Sequence, residues 1–124
     1  MCVPPGDEPD TSIREAIIDY VTHNQTTFTL QSTFHLSKPY VLVPRQDLNQ
    51  LIGATWDKFY IRYPNSGGFR TFSAVGFSSS KTVAVVYYSH VGNLFGGYGS
   101  IVVLQKMNGK WQELPKKAMC RWIS

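Results

Sequence analysis

The sequence is poor in acidic residues, in cysteine and in long apolar stretches. Its 124 residues contain 8 Asp+Glu against 12 Lys+Arg, 2 cysteines, and no uninterrupted apolar run longer than Val83–Tyr88. Such a run is too short to cross a bilayer or to form the core of a secretory signal, so these residues predict neither a membrane span nor a signal peptide. Apolar residues make up 43% and charged residues 16%, a balance typical of one folded domain.

The sequence also lacks motifs that indicate a reaction or a metal. Its three histidines, His23, His35 and His90, have no metal-ligand spacing, and neither a Cys-x-x-Cys pair nor a Gly-x-Ser-x-Gly elbow occurs. The glycine-rich stretch Gly92–Gly99 lacks the Gly-Lys-Ser/Thr ending of a phosphate loop, and it predicts a wide loop between two strands. We therefore expect no metal, no cofactor and no catalytic residue.

Charge is distributed unevenly along the chain. Residues 7–19 hold five acidic residues and one basic residue, whereas residues 106–121 hold five basic residues and one acidic residue. The basic segment is either a site for phosphate or an acidic partner, or the solvated face of a hairpin that lies toward the acidic helix. Because no Arg-Gly repeat, zinc spacing or aromatic-basic motif accompanies it, we expect neither nucleic acid nor a membrane as the partner.

The two cysteines lie at opposite ends of the sequence, at Cys2 and Cys120. A bridge between them would close almost the whole chain, stabilise it by about 4 to 5 kcal/mol and require an oxidising compartment. The alternative, which we expect, is that they are two unrelated thiols. Because Cys2 follows Met1 directly, a longer precursor with a removed leader is also compatible with the sequence, and localisation stays open.

Two segments show the apolar periodicity of helices. Proline-rich residues 1–10 predict a flexible tail, and the helix that follows has a Ser12/Glu15 capping box and ends near His23. Its apolar face comprises Ile13, Ile17, Tyr20 and Val21.

The second periodic segment runs from Leu48 to Tyr63 and is ended by Pro64. Gly53 lies in its middle, so the pattern is compatible with one bent helix or with two short helices.

From Gly67 onward the apolar period changes to two, which is typical of strands. Four strands are predicted, at Phe69–Phe77, Thr82–Val91, Ser100–Met107 and Ala118–Ile123. Asn108-Gly109 predicts a tight hairpin turn. Thr26–Leu36 is interpreted as a strand or an irregular extended segment, and Tyr40–Val43 as a short strand.

These elements predict a single α+β domain over residues 11–124. An N-terminal helix and one central helix are expected to pack on a mainly antiparallel sheet of four to six strands.

Six motifs follow one another between Trp56 and Ser124, within a resemblance that covers about residues 26–124: Trp56-x-x-Phe59-Tyr60-x-x-Tyr63-Pro64-x-Ser66-x-Gly68, Ser73-x-Val75-Gly76-Phe77, Ala84-Val85-Val86-Tyr87, Gly97-x-Gly99, Leu104-x-Lys106-x-x-Gly109-x-Trp111 and Trp122-x-Ser124. In this order they resemble an uncharacterised family of small bacterial α+β domains. The resemblance implies no activity, cofactor or catalytic residue. The final hairpin is also similar, at the level of the fold, to that of ketosteroid-isomerase-like cone folds, in which a sheet curls around a pocket.

Aromatic residues are abundant, with 3 Trp, 7 Tyr and 7 Phe making up 14% of the chain. Four of them recur at helical spacing and are expected to pack as core: Trp56, Phe59, Tyr60 and Tyr63. Alternatively, Tyr60 or Tyr63 lines a recognition surface near the chain reversal after Pro64. Arg62 and Arg70 would then contribute to that surface, because Tyr and Arg are frequent at binding hot spots.

The sequence favours a non-catalytic binding or protein-interaction module, with Tyr60, Tyr63, Arg70 and His90 as candidate binding residues. Its partner would be an unknown protein or a small-molecule ligand, and a homodimer formed through an exposed strand or sheet face is one form of this hypothesis. Strand alternation places His90 on the same face as Tyr88, beside the glycine-rich stretch.

The alternative function is a small-molecule pocket enzyme of isomerase-like type. In it, His90 or His35 would act as the base and Tyr60 or Tyr87 as the hydrogen-bond donor. A deep apolar cavity that holds such a pair would favour the enzyme, whereas a filled core and a flat apolar patch would favour the interaction module.

Overall fold

A computed structural model describes residues 4, 6–26, 30–53, 55–92 and 96–124. These residues form three α-helices and a six-stranded open sheet in which every described pairing is antiparallel, which confirms the α+β class. The chain divides into two compact units, residues 1–28 with 68–124 and residues 29–67. We call them the sheet unit and the second unit. No helix among the described residues is long and apolar enough to cross a membrane.

The first helix, α1, spans Thr11–His23 and begins differently from the prediction. Its N-cap is Asp10, whose carboxylate accepts a hydrogen bond from the Ile13 backbone N–H at 3.0 Å. The predicted Ser12/Glu15 capping box is wrong because Asp10 caps this end. The buried face of α1 comprises Ile13, Ala16, Ile17 and Tyr20, while Val21 is 36% exposed.

The sheet is built on one long antiparallel pair. Its strands are β1 (Phe69–Phe72), β2 (Gly76–Phe77), β3 (Val83–Gly92), β4 (Gly96–Met107), β5 (Lys110–Glu113) and β6 (Met119–Ile123). β3 and β4 pair from Val83↔Gln105 to Gly92↔Gly96. β1 and β2 pair with successive parts of β3 on one side, and β5 and β6 pair with successive parts of β4 on the other.

The predicted strand boundaries are correct in part. The Asn108-Gly109 turn is confirmed, because both residues have the positive φ of a tight hairpin, 54° and 77°. The predicted strand 69–77 is interrupted at Ser73, whose hydroxyl accepts a hydrogen bond from the Tyr87 N–H at 2.8 Å.

The prediction of a loop over Gly92–Gly99 is wrong for residues 96–99, which belong to β4. Gly97 and Gly99 are needed there, because a Cβ at either position would press on the Trp122 ring. The remaining part of that predicted loop, residues 93–95, lies outside the described residues.

The core of the sheet unit lies between α1 and one face of the sheet. Val83, Val85, Ile101 and Val103 are at most 4% exposed and pack against the buried face of α1. Gly76 allows the helix to come this close, since a Cβ there would lie inside van der Waals distance of the Tyr20 nitrogen and the Ala16 oxygen.

Polar side chains of α1 also hold the segment that contains β2. The Asp19 carboxylate accepts a hydrogen bond from the Phe77 N–H at 2.8 Å, and Glu15 accepts one from the Ser79 hydroxyl at 2.7 Å. Asn24 accepts from the Ala74 N–H at 2.9 Å and donates to its carbonyl oxygen at 3.0 Å. The helix therefore satisfies backbone groups at this edge of the sheet.

In the second unit, the predicted central helix is two short helices, α2 (Arg45–Leu51) and α3 (Asp57–Arg62). Phe59 is 2% exposed, which confirms its core role, and its ring contacts three neighbours within this unit: Trp56, Tyr60 and Tyr63.

The predicted strand Tyr40–Val43 is wrong, because no strand forms among residues 30–53. The Tyr40 hydroxyl instead accepts a hydrogen bond from the Phe34 N–H at 3.0 Å. Residues 27–29, in the first predicted extended segment, lie outside the described residues.

An ion pair joins the short helical turn before β6, Pro115–Lys117, to the N-terminal segment, and β6 itself contains a disulfide-bonded cysteine. Lys117 pairs with Glu8 at 2.9 Å, so this residue of the predicted basic segment lies toward acidic residues. Cys120 is disulfide-bonded, so the expectation of two unrelated thiols is wrong for this residue. The other cysteine of the sequence, Cys2, lies outside the described residues.

Gly76→Ala is expected to lower the free energy of unfolding by about 2 kcal/mol or more, because the new methyl group meets helix backbone that cannot rotate away. Gly53→Ala is the control, since a Cβ at Gly53 meets open space, and its effect should stay within about 0.5 kcal/mol. Urea unfolding of the three proteins measures the difference. Equal stability of the two variants would contradict the close α1–β2 contact.

The disulfide is tested by thiol counting. Because Cys120 is bonded, the unreduced protein should show no maleimide-reactive thiol even after unfolding. Cys120→Ala should lower the free energy of unfolding by about 2 to 5 kcal/mol. Two reactive thiols in the unreduced, unfolded protein would contradict the bridge.

Candidate functional site

The sheet has a second face, opposite α1, and this face is the candidate functional site. Even-numbered residues of β3 from Ala84 to His90 point to it, together with their register partners on the neighbouring strands. Its middle is apolar, with half-buried Val86 beside Val102. We call this surface the second face.

At one end of the second face, four side chains form what we call the tyrosine cluster: Arg70, Tyr88, His90 and Tyr98. Arg70 is the register partner of His90, and His90 is the partner of Tyr98, so the three lie side by side across β1, β3 and β4. Tyr88 lies two positions before His90 on the same face. The cluster thus arises from strand register alone.

Hydrogen bonds and ring contacts join the cluster. The Arg70 guanidinium donates to the Tyr88 hydroxyl, and its Cζ lies 5.7 Å from the centre of the Tyr88 ring. The Tyr88 and Tyr98 hydroxyl oxygens are 2.8 Å apart, and the His90 ring contacts the Tyr98 ring edge-on at 5.8 Å. Phe72 packs beside Tyr88 with ring centres 5.5 Å apart.

The two tyrosines differ in acidity. Hydrogen bonds from Tyr88 and from Arg70 lower the pKa of Tyr98, which is 45% exposed. Burial, and then the hydrogen bond to Tyr98, raises the pKa of Tyr88. Both pKa shifts are those expected when the Tyr88 hydroxyl donates a hydrogen bond to the Tyr98 oxygen.

A second aromatic group lies at the other end of the face. The rings of Phe77 and Trp111 approach to 6.1 Å, and Ala84, the register partner of Phe77, is 2% exposed. Lys81 lies 5.4 Å from the centre of the Phe77 ring, and Lys106 lies 5.9 Å from that of Trp111. Each end of the face therefore combines aromatic rings with cations.

Large side chains on the second face remain exposed. Tyr98 is 45% exposed, Trp111 41% and Ile123, the register partner of Tyr98 on β6, 86%. Arg121 lines a shallow cavity of about 240 Å³ beside Tyr98 and Ser100. The second face therefore exposes large side chains around this cavity.

The cations of the second face have no acidic partners among the described residues. None of Arg70, Lys81, Lys106 and Arg121 lies within ion-pair distance of a described carboxylate. The acidic residues near α1 are engaged elsewhere, as in the Glu8–Lys117, Glu15–Ser79 and Asp19–Phe77 contacts. Glu113 is the one described strand carboxylate that the register places on this face.

The structure separates the four predicted binding residues into two pairs. It brings Arg70 and His90 together in the tyrosine cluster. Tyr60 and Tyr63 lie in the second unit, where both contact Phe59.

The His90 and Tyr87 pair considered for an enzyme does not form, because these residues lie on opposite faces of β3. The Tyr87 hydroxyl accepts a hydrogen bond from the Trp122 indole N–H at 2.9 Å on the α1 side of the sheet. His35, the other candidate base, is exposed in the second unit.

Sequence reasoning missed Tyr98 and Arg121. Tyr98 falls within the glycine-rich stretch whose composition predicts a loop. Strand alternation continued through Gly97 and Gly99 places it opposite His90. Arg121 follows Cys120, where the β4–β6 register shifts and Cys120 has a φ of 56°. A bulge of this kind has no signature in the sequence.

Comparisons with protein family models, with characterised proteins and with solved structures found no match to this chain.

The different acidities of the tyrosines are testable. Tyr98 should ionise below the ordinary tyrosine pKa of about 10, because its phenolate is stabilised by two donors. Tyr88→Phe removes one donor and should move the Tyr98 pKa back toward that value. NMR of ring-labelled tyrosine during an alkaline titration measures both, and a Tyr98 pKa that does not respond to Tyr88→Phe would contradict the coupling.

Proposed function

We propose that this protein is a non-catalytic interaction domain that binds an acidic polypeptide on the second face of its sheet. The observation that carries the proposal is the set of cations on that face, Arg70, Lys81, Lys106 and Arg121, without a described carboxylate partner. A partner that supplies carboxylates would complement them.

The aromatic and aliphatic side chains of the face support a protein partner. Tyr98, Trp111 and Ile123 expose large apolar surfaces between the cations. Tyr, Trp and Arg are the residue types that carry most binding energy at protein interfaces. An acidic segment that also contains apolar residues would cover these rings while its carboxylates meet the cations.

The width of the face favours a polypeptide over a small molecule. Arg70, His90, Tyr98 and Ile123 occupy one row across four strands, which spans about 14 Å at the usual strand spacing. A small-molecule site encloses most of its ligand, whereas the cavity beside Tyr98 is shallow and has a volume of about 240 Å³. An extended segment laid across the row would contact several strands at once.

Peptide binding tests this proposal. The probe is a fluorescent synthetic peptide of alternating glutamate and leucine, and its affinity is measured by fluorescence anisotropy. Ile123→Asp places a like charge on the second face and removes an exposed apolar side chain, so it should weaken binding by about tenfold or more. Added salt should weaken binding to the wild-type protein.

Ile18→Asp is the matched control, because Ile18 is 61% exposed but belongs to α1. Its affinity should stay within about twofold of wild type. Absence of binding to the wild-type protein, or equal affinity of the two variants, would overturn the proposal.

Sedimentation of the protein without peptide measures its oligomeric state, and so tests whether a second copy of the chain occupies the second face. A wild-type dimer that Ile123→Asp converts to a monomer would replace the acidic polypeptide with the chain itself.

A further inference from the structure

The tyrosine cluster contains a directed chain of hydrogen bonds. Arg70 carries only donors, so in its bond with Tyr88 the phenol oxygen must accept. Because accepting from a cation makes the Tyr88 hydroxyl the stronger donor of the two phenols, we assign its proton to the 2.8 Å contact with the Tyr98 oxygen. The raised pKa of Tyr88 and the lowered pKa of Tyr98 agree with this direction. The chain runs from Arg70 through Tyr88 to Tyr98.

The last proton of this chain has no described acceptor. Because the Tyr98 oxygen receives the Tyr88 proton, the hydrogen of Tyr98 points away from Tyr88, and this residue is 45% exposed. Hydrogen bonds in series polarise one another, so the outermost O–H becomes a stronger donor than an isolated phenol. An exposed donor with an enhanced partial positive charge favours an anionic acceptor.

Arg70 supplies further donors beside the same ring pair. Its guanidinium has several N–H groups, and besides the bonds that it gives to Tyr88 through Nη1 and to Tyr98 it retains N–H groups for a ligand. The strand register places Arg70 and Tyr98 on either side of His90 in one row. A group with two acceptor oxygens is able to meet donors from both residues, and a carboxylate is such a group.

We infer that Arg70 and the Tyr98 hydroxyl form a receptor for one carboxylate of the bound polypeptide, with Tyr88 as the positioning residue between them. This inference rests on the proposed function, because it names the group through which the acidic partner is anchored. Tyr88 acts through Tyr98: it fixes the direction of the terminal proton and does not itself contact the ligand.

The test compares two synthetic peptides that differ in one residue. Each is a short leucine- and serine-containing peptide with either one central glutamate or the nearly isosteric glutamine. The wild-type protein should bind the glutamate peptide about tenfold more tightly. Tyr98→Phe removes only the hydroxyl and should reduce this preference below about threefold, with little change in affinity for the glutamine peptide.

Two substitutions at Arg70 separate charge from geometry. Arg70→Gln should also reduce the preference below about threefold. Arg70→Lys keeps the charge but loses the planar fork, and it should restore only part of the preference. Lys116→Gln is the control for loss of one positive charge, because Lys116 lies in the short helical turn Pro115–Lys117 and should leave the preference unchanged.

Tyr88→Phe tests the positioning role with two readouts. It should lower the preference for the glutamate peptide, and in the same protein it should return the Tyr98 pKa toward about 10. A merely structural effect of losing the hydroxyl would weaken both peptides equally.

The outcomes separate this inference from the proposed function. If the wild-type protein binds neither these peptides nor the alternating glutamate–leucine peptide, the proposed function fails. If it binds only the alternating peptide, the proposed function stands and the receptor for a single carboxylate is overturned. If it prefers the glutamate peptide and Tyr98→Phe and Arg70→Gln keep that preference, the second face binds acidic segments but the receptor lies elsewhere. If inorganic phosphate at the same concentration displaces the glutamate peptide, the site is a general oxyanion site and the carboxylate assignment is overturned.

Discussion

The close contact between α1 and β2 determines how the sheet unit is organised. At Gly76 the helix backbone approaches so closely that a side chain has no room. The carboxylates of Asp19 and Glu15 accept hydrogen bonds from the backbone N–H groups of Phe77 and Ser79, as a neighbouring strand would do. This contact assigns the two faces of the sheet: α1 covers the face that carries Val85 and Val103. Tyr88, His90 and Tyr98 therefore lie on the opposite face, which α1 does not cover.

The same contact explains the charge of the second face. Acidic residues are concentrated near α1, and their carboxylates are held by α1 itself, by β2 and by Lys117. The cations of the strands have no such partners among the described residues, so they lie over aromatic rings, as Lys106 does over Trp111. The chain has a net charge of +4, and four of its 12 Lys and Arg residues lie on the second face. This concentration of charge is the basis of the proposed partner.

The sequence predicted the elements whose signals are local. The α1 periodicity, the Asn108-Gly109 turn and the long strands β3 and β4 follow from spacing and from turn chemistry. The sequence marks Arg70 and His90 as candidate residues, but their pairing depends on the long-range register of β1 on β3, which no local signal indicates. Tyr98 is not predicted as a strand residue, because the glycines on either side of it make the segment resemble a loop. Gly97 and Gly99 are there because the Trp122 ring leaves no room for a side chain. The sequence does not single out Asp10 as the N-cap, because Asp10 and Ser12 are both good N-cap residues and stand two positions apart.

In the proposed function the second face, and not the α1 side, receives the partner. Methyl groups of neighbouring valines report on this directly, because Val86 and Val102 lie on the second face while Val85 and Val103 lie under α1. Intermolecular NOEs should connect the glutamate–leucine peptide to the methyl groups of Val86, Val102 and Ile123. NOEs to Ile18 of α1, or to Leu36 and Ile61 of the second unit, without any to the second face would contradict the account.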